Sequence, residues 1–406
     1  MPSTPLSPAL ALETVLANVA ARPTETVAHS QLLGRTLAQN AIAPFDLPPF
    51  DNSAMDGFAV QAADLTEPNA RLKWVETVAA GEVAKGAVSR GHCLKIMTGA
   101  PIPHGADAVV MREETAFDGE WVRFETSAKT GQNIRKRGSD VREGEVVLAQ
   151  GTPLRAAQWA MLASLGFAET EVFQTPKIGI LTTGAELVAP GEKRREGQIY
   201  DSNSFALRGL VEATDAQIVE SRRCGDSPAE VEKHLRELAA KCDLVVSSGG
   251  VSAGDFDPVR DVLHEHARVH FWKIAMKPGK PVLFASLGET PIFGLPGNPV
   301  SVMVAFEEFV RPAILKLSGR RFLHRREVRA KLAHEIRRTP GRTEFMRATL
   351  HFQNDHFVAS VRGDQGSGRL STMTNADALL VIAPEIATLK AGDWVYARLI
   401  EMPENH

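Results

Sequence analysis

The sequence predicts a multidomain α/β protein. A central doubly wound, mostly parallel sheet domain is accompanied by a β-rich inserted domain, an N-terminal helical segment and a C-terminal β domain. Three observations lead there. The 406 residues exceed what one ordinary core holds, so about two to four domains are expected. Between Lys177 and Leu317, short apolar strands alternate with helical stretches, the pattern of a parallel sheet with crossover helices. On either side, residues 58–150 and 327–402 carry short β-like runs broken by glycines.

The elements follow in order. Ser7 then Pro8 is a helix start, and Leu10, Leu12, Val15, Leu16 and Val19 supply its apolar stripe. Gly34 and Arg35 lead into a turn-rich run, Pro44–Gly57. Strand candidates are then Phe58–Val60, Cys93–Ile96, Ala108–Val110, Trp121–Phe124 and Val146–Leu148. Leu154–Leu165 reads as a helix closed by Gly166. It is assigned to the first helix, so that residues 1–45 plus 150–176 form one helical domain around an insertion at 46–149. Residues 177–320 are the α/β domain. Its strands are Lys177–Leu181, Gln217–Ser221, Leu244–Ser247, Phe271–Ala275, Val282–Phe284 and Ile292–Gly294. Its helices run from Asn203 to Ala213, from Ser227-Pro228 onward and from Pro299 to Leu317. The basic run Arg320–Arg326 is a linker, and residues 327–402 form the C-terminal β domain.

Composition excludes several classes. Hydrophobic residues at 44% and charged residues at 23% are those of a globular protein. A formal net charge of -3 argues against a general nucleic-acid binder, whose affinity rests on phosphate neutralisation. Aromatics at 6% are sparse and argue against a base-stacking platform. Cys93, Cys224 and Cys242 are far apart and odd in number, so neither a disulfide framework nor a cysteine zinc site is read. No run reaches the ~18 apolar residues of a membrane span, and no signal peptide is recognised. A cytoplasmic protein is expected.

The strongest local feature is Ser247-Ser248-Gly249-Gly250-Val251-Ser252-Ala253-Gly254. It follows a buried strand and precedes a helix, where ligands of open α/β sheets bind. Glycines let the backbone approach a phosphate, and free N–H groups favour an anion. A bare tight turn is the competing reading. Asp255 and Asp257 come next. An acidic residue beside a phosphate cradle suits Mg²⁺, and Asp257 is favoured over a helix-capping role. Lys277 and Lys280 frame Pro278-Gly279 and can face one oxyanion as point charges. In Gly294-Leu295-Pro296-Gly297-Asn298-Pro299-Val300-Ser301, Asn298 suits a cap and Pro299 a first helical position. Pro296, Gly297, Asn298 and Ser301 are therefore further anion-site candidates. Glu186, in Thr182-Thr183-Gly184-Ala185-Glu186, and Asp226 both fall at strand ends on the same rim. Arg135-Lys136-Arg137, ahead of Asp140, is either an anion site or a solvated face. In the last domain Arg347, Arg369 and Ser371 sit in or beside basic glycine-rich loops.

Several stretches together carry a resemblance: PPFDNSAMDGFAV (48–60), KIMTGAPIPHGADAVVM (95–111), GQNIRKRGSDV (131–141), GQIYDSN (197–203), SSGGVSAGDFD (247–257), WKIAMKPGKPV (272–282), GLPGNPVS (294–301) and TPGRTEF (339–345). In this order they resemble the molybdenum-insertion family, which includes the E domain of gephyrin. The resemblance covers essentially the whole chain. It implies an L-shaped homodimer of four-domain subunits, the third similar to the pterin adenylyltransferase fold. It places the active site between that domain of one subunit and the second domain of the other. The implied reaction takes adenylylated molybdopterin and molybdate to molybdenum cofactor and AMP, with Mg²⁺ as cofactor. The implied functional residues are Asp56, Thr98, Asp140, Glu186, Asp226, Asp257, Lys277 and Lys280. The metal is assigned to Asp257 and Glu186. Ser248, Gly249, Gly250, Ser252, Gly254, Pro296, Gly297, Asn298, Ser301 and Arg369 are assigned to the substrate. Two positions depart from the family's pattern: Ala185 stands where relatives commonly have Asp, and Phe58 where many have Tyr. Alternatives are the preceding adenylyltransferase step and a gephyrin-like scaffold. Other cofactor-biosynthesis enzymes are expected partners, whereas nucleic acid and membrane are not.

Overall fold

Six strands build the sheet of the middle segment: β1 (Lys177–Thr183), β2 (Gln217–Cys224), β3 (Leu244–Ser248), β4 (Arg268–Trp272), β5 (Leu283–Leu287) and β6 (Thr290–Leu295), in spatial order β2-β1-β3-β6-β5-β4. The computed structural model describes residues 5–251, 257–361 and 363–401. β2, β1, β3 and β6 are joined by parallel ladders, while β5 is antiparallel to both β6 and β4. The reversal has a local cause. Leu287 pairs with Thr290 across Gly288-Glu289, with Gly288 at φ 60°. A two-residue connection makes a hairpin, whereas a parallel crossover needs a dozen residues or more.

Ile178, Ile180, Val246 and Phe293 are fully buried beneath helices on one face. That face is covered by α1 (Pro8–Ala17), α2 (Asn203–Glu212), α5 (Pro299–Ala305) and α6 (Arg311–Leu317). The other face packs Leu181, Val245 and Ile292 against α3 (Pro228–Ala239) and α4 (Pro258–His266). Burial on both sides explains the near-continuous apolar strands. Ser7 caps α1, its hydroxyl accepting from Leu10 N at 3.3 Å, with Pro8 in the first turn. The helix expected from Pro299 to Leu317 is present, but Phe306–Val310 between α5 and α6 is wound as a π-helix. Glu307 and Glu308 are buried there. Arg325 grips Glu307 through two bonds of 2.8 and 2.9 Å, and Arg398 bonds Glu308.

The C-terminal strands Glu327–Leu332, Thr343–Gln353, His356–Ser360, Ala378–Ile382 and Trp394–Leu399 close on themselves, because Thr343–Gln353 pairs with both His356–Ser360 and Ala378–Ile382. Met346, Leu350, Leu380 and Ala397 fill the interior. Met276–Lys277 adds to this sheet in register with Thr343 and Glu344.

These parts belong to one compact unit, formed by Met1–Ala38, Gly151–Arg155 and Glu169–His406. Gln39–Gln150 and Ala156–Ala168 form a second. The second unit has its own six-stranded sheet over the core residues Phe58, Leu72, Val110 and Phe124. Phe58 is 3% exposed and meets Phe124 edge-on at 6.0 Å. At this departure from the family's usual Tyr, the ring therefore serves the core. The helix Ala156–Ser164 also belongs to this unit; its Met161 and the following Leu165 and Phe167 pack with Ala43 and Val141. α1 lies on the sheet of the first unit, where Thr24–Ala28 also pairs with Glu169–Phe173. No helix among the described residues is long and apolar enough to cross a membrane.

Candidate functional site

The carboxyl ends of β1, β3 and β6 open into a cleft of about 510 Å³. Its floor is polar backbone. Gly249 and Gly250 follow β3 with φ of 95° and 64°, and Gly297 and Asn298 follow β6. The left-handed backbone at Gly249 and Gly250 requires glycine. A Cβ at Gly249 would also lie 2.5 Å from the Thr183 carbonyl oxygen. The β3 turn is thus packed directly on the end of β1.

Glu186 and Asp226 line the same cleft. Asp226 Oδ2 accepts from Ala185 N at 3.0 Å, which ties the loop after β2 to the loop after β1. Gly184 leaves room for the Glu186 carboxylate, which would come within 2.7 Å of a Cβ there. Two exposed carboxylates on one wall, facing a floor of glycine loops, suit Mg²⁺. That ion takes few protein ligands and keeps phosphate and water. Among the described residues no three acidic, histidine or cysteine side chains form a closed metal cage.

Three lining residues were not singled out in advance. Asn203, at the start of α2, donates through Nδ2 to Ser248 Oγ at 2.9 Å and to the Gly297 carbonyl at 2.7 Å. One side chain therefore spaces the two glycine loops. Asp201 is buried and accepts from Thr182 Oγ1 at 3.1 Å and Ser204 N at 3.0 Å, fixing the end of β1 to α2. Tyr200 lies beside them, half exposed. Their only mark in the sequence is the segment Gly197–Asn203, which carries the resemblance but no local chemical pattern.

The other expected residues fall elsewhere. The Ser248 hydroxyl is committed, since it also donates to the Pro296 carbonyl at 3.1 Å. Ser301 is buried in the first turn of α5. Asp257 is 6% exposed, stands 3.5 Å from Arg260 Nη1 and is absent from the cleft lining. Ser252 and Gly254 lie outside the described residues. Lys277 and Lys280 are exposed but do not line the cleft; Lys277 Nζ is 2.8 Å from Glu344, a buried carboxylate that also receives Arg338. Strand pairing of Lys277 with Glu344 causes this. Arg369 Nε bonds Asp364 at 3.2 Å, and only its neighbour Gly368 reaches the cleft. That loop is held there by Asn298 Nδ2 donating to Ser367 Oγ at 2.9 Å.

In the second unit Asp56 and Thr98 meet. Asp56 Oδ1 accepts from the Thr98 N–H and from its hydroxyl, each at 2.7 Å. The Thr98 amide first, and then the hydroxyl, hold the Asp56 carboxyl below the usual carboxylate range. With a lowered folded pKa, its contribution to stability is present above the unfolded value and is lost as pH falls through the folded one. Thr98→Ala removes only the hydroxyl. The Asp56 midpoint, followed by carboxyl-detected NMR, is expected to rise yet stay below 3.8, the ordinary value for aspartate; an unmoved midpoint would exclude the hydroxyl's part. Asp140 is exposed. The neighbouring basic run is largely neutralised: Lys136 pairs with Asp51 at 2.8 Å and Arg137 with Asp46 at 2.6 Å. A three-cation anion site is therefore not formed.

Family models match the chain in three consecutive stretches. They are the MoeA N-terminal region (domain I and II) over residues 6–166, a probable molybdopterin binding domain over 179–316 and the MoeA C-terminal region (domain IV) over 329–400. The molybdopterin molybdenumtransferase of Haemophilus influenzae is 38% identical over 376 residues, which cover 92% of this chain and 93% of that protein. The protein of that name from Staphylococcus aureus is 30% identical over 396 residues, covering 96% and 94%. The crystal structure of a molybdopterin biosynthesis moeA protein from Pyrococcus horikoshii superposes with a TM-score of 0.81 at 33% identity, covering 98% of this chain and all of that one.

Proposed function

The chain belongs to the molybdopterin molybdenumtransferase family, which works in molybdenum insertion during cofactor biosynthesis, and we propose that its cleft takes adenylylated molybdopterin. Together with molybdate this substrate yields molybdenum cofactor and AMP. The observation that carries the reading is the cleft floor: two glycine loops spaced by Asn203 opposite the carboxylates of Glu186 and Asp226.

Substrate phosphates bring negative charge to a rim that already holds two carboxylates. The Gly249 N–H is taken by the Leu295 carbonyl at 3.0 Å, so the backbone N–H groups of Gly250 and of the Gly297-Asn298 turn are assigned to offset part of it. Glu186 and Asp226 fit the protein's share of a Mg²⁺ site. When bound, that ion supplies Lewis-acid stabilisation of the pyrophosphate. Asn203 keeps the two loops at one spacing, so that their donors point at the charge as it moves to the leaving AMP. Asp257, behind the rim and beside Arg260, is assigned a supporting electrostatic role. Molybdate is assigned to the Pro-Gly-Lys-Pro turn, where Lys280 is exposed and Lys277 exchanges Glu344 for the oxyanion. Arg369 is kept as a further contact on this path. Asp56, Thr98 and Asp140, in the β-rich unit, are assigned functional roles on the strength of the family resemblance. The working form is inferred to be a homodimer in the cytoplasm, with other cofactor-biosynthesis enzymes as partners.

The test is direct. Purified protein given adenylylated molybdopterin is expected to release AMP only when both molybdate and Mg²⁺ are added. Release that ignores molybdate, or adenylyl transfer from ATP instead, would overturn the reading.

A further inference from the structure

Two large side chains stand exposed at the cleft, whose lining also includes Leu187, Val251 and Pro299. Ile199 is 52% and Tyr200 47% exposed, and both line it. They form a two-residue strand parallel to Leu187–Val188, so they flank the loop that carries Glu186. Ile199 N donates to the Glu186 carbonyl at 2.9 Å. The phenol of Tyr200 is itself held, its hydroxyl donating to the Glu192 carbonyl at 3.1 Å. Glu192 closes its own turn through Ala189 N, which donates to Glu192 Oε2 at 3.0 Å. The ring is therefore pre-positioned. Tyr200 is the one aromatic among the described lining residues.

We propose that Tyr200 is the stacking platform for the planar nitrogen heterocycle of the substrate. The inference rests on the reading of the floor as a phosphate site. Phosphates held on the glycine loops leave the attached ring to extend toward the mouth. There an apolar, flat and immobilised surface waits, and polar loops alone would not bury a heterocycle's face. An exposed tyrosine fixed by its own hydroxyl loses little freedom on binding, which makes it an efficient partner for a ring. The adenylylated substrate has two such rings, adenine and pterin, and either presents the same face chemistry.

The experiment compares wild type, Tyr200→Ala and Tyr200→Phe. Steady-state kinetics use adenylylated molybdopterin, and calorimetry uses AMP and, separately, ribose 5-phosphate. Loss of one aromatic–base stack is expected to raise KM about 10-fold in Tyr200→Ala, with the effect falling on KM rather than kcat. If adenine is the ring, AMP affinity falls by a similar factor while ribose 5-phosphate binding holds. If pterin is the ring, KM rises and AMP binding holds. Tyr200→Phe keeps the ring but loses the bond to the Glu192 carbonyl, so it is expected to fall between wild type and Tyr200→Ala. The proposal is overturned if Tyr200→Ala leaves KM in place, if ribose 5-phosphate weakens as much as AMP, or if Phe is as damaging as Ala. Wild type that binds neither AMP nor ribose 5-phosphate and releases no AMP would instead overturn the phosphate floor, and the stacking proposal with it.

Discussion

Gly249→Ala is expected to destabilise the α/β unit and to abolish AMP binding. At φ 95° an L-residue sits in strained backbone, which costs about 1–3 kcal/mol. The new Cβ would also fall 2.5 Å from the Thr183 carbonyl oxygen and 2.7 Å from its Oγ1. A backbone oxygen at the end of a buried strand cannot move aside without disturbing β1. The loss is thus expected at or above the top of that range, and any relief displaces the turn that makes the floor. Urea denaturation and AMP calorimetry together check this. Gly209, inside α2 with no heavy atom within 4 Å of its Cβ position and without a positive φ, is the control. Alanine there should stabilise by about 0.5–1 kcal/mol. Equal behaviour of the two variants would refute the packing argument.

Glu186→Gln should separate chemistry from folding. Glu186 is exposed, so stability is expected to stay within about 0.5 kcal/mol of wild type. AMP release should nevertheless fall about 10²–10³-fold, the size of losing one preorganised electrostatic contact. Its Mg²⁺ requirement should shift to higher concentration, because one of two wall carboxylates is gone. The departure at Ala185 sharpens the expectation. Position 185, where the resemblance implies an acid, is alanine in this chain, so more of the cation's charge is expected to fall to Glu186 and Asp226. A variant with full activity and an unchanged Mg²⁺ curve would remove Glu186 from the site.

Much of this rim was legible beforehand, for a physical reason. Lys177–Thr183, Leu244–Ser248 and Thr290–Leu295 are short apolar runs ending in small or polar residues. Parallel strands put such endings side by side whatever the register. What stayed hidden depends on contacts distant in sequence. Asn203 acts by reaching residues 45 and 94 positions away. Lys277 looked like a free cation until strand pairing brought Glu344 against it. Lys136 and Arg137 are paired with Asp51 and Asp46, more than eighty residues upstream. The helix Ala156–Ser164 resembles α1 in its apolar content, and that content does not say which sheet or loop it will cover. Gly288-Glu289 is a two-residue hairpin turn, a local signal that the alternation of strands and helices around it outweighs.

The first unit is discontinuous in sequence, and its two ends are stitched together where the second departs. Leu37 N donates to the Thr152 carbonyl at 3.0 Å, Gly151 N to the Leu37 carbonyl at 2.8 Å, and Gly34 N to the Leu154 carbonyl at 2.9 Å. During synthesis, residues up to Ala38 emerge with nothing to fold upon, since the sheet that α1 covers begins only at Lys177. The β-rich segment leaves the ribosome next and can close its own core at once. Its completion brings Ala38 and Gly151 within bonding reach, which shortens the loop that the later unit must close. The insertion is thereby expected to act as a clasp during folding. A chain with that segment replaced by a short Gly-Ser turn should fold its α/β part at least as readily as the parent, whereas one with the segment unfolded by mutation should not.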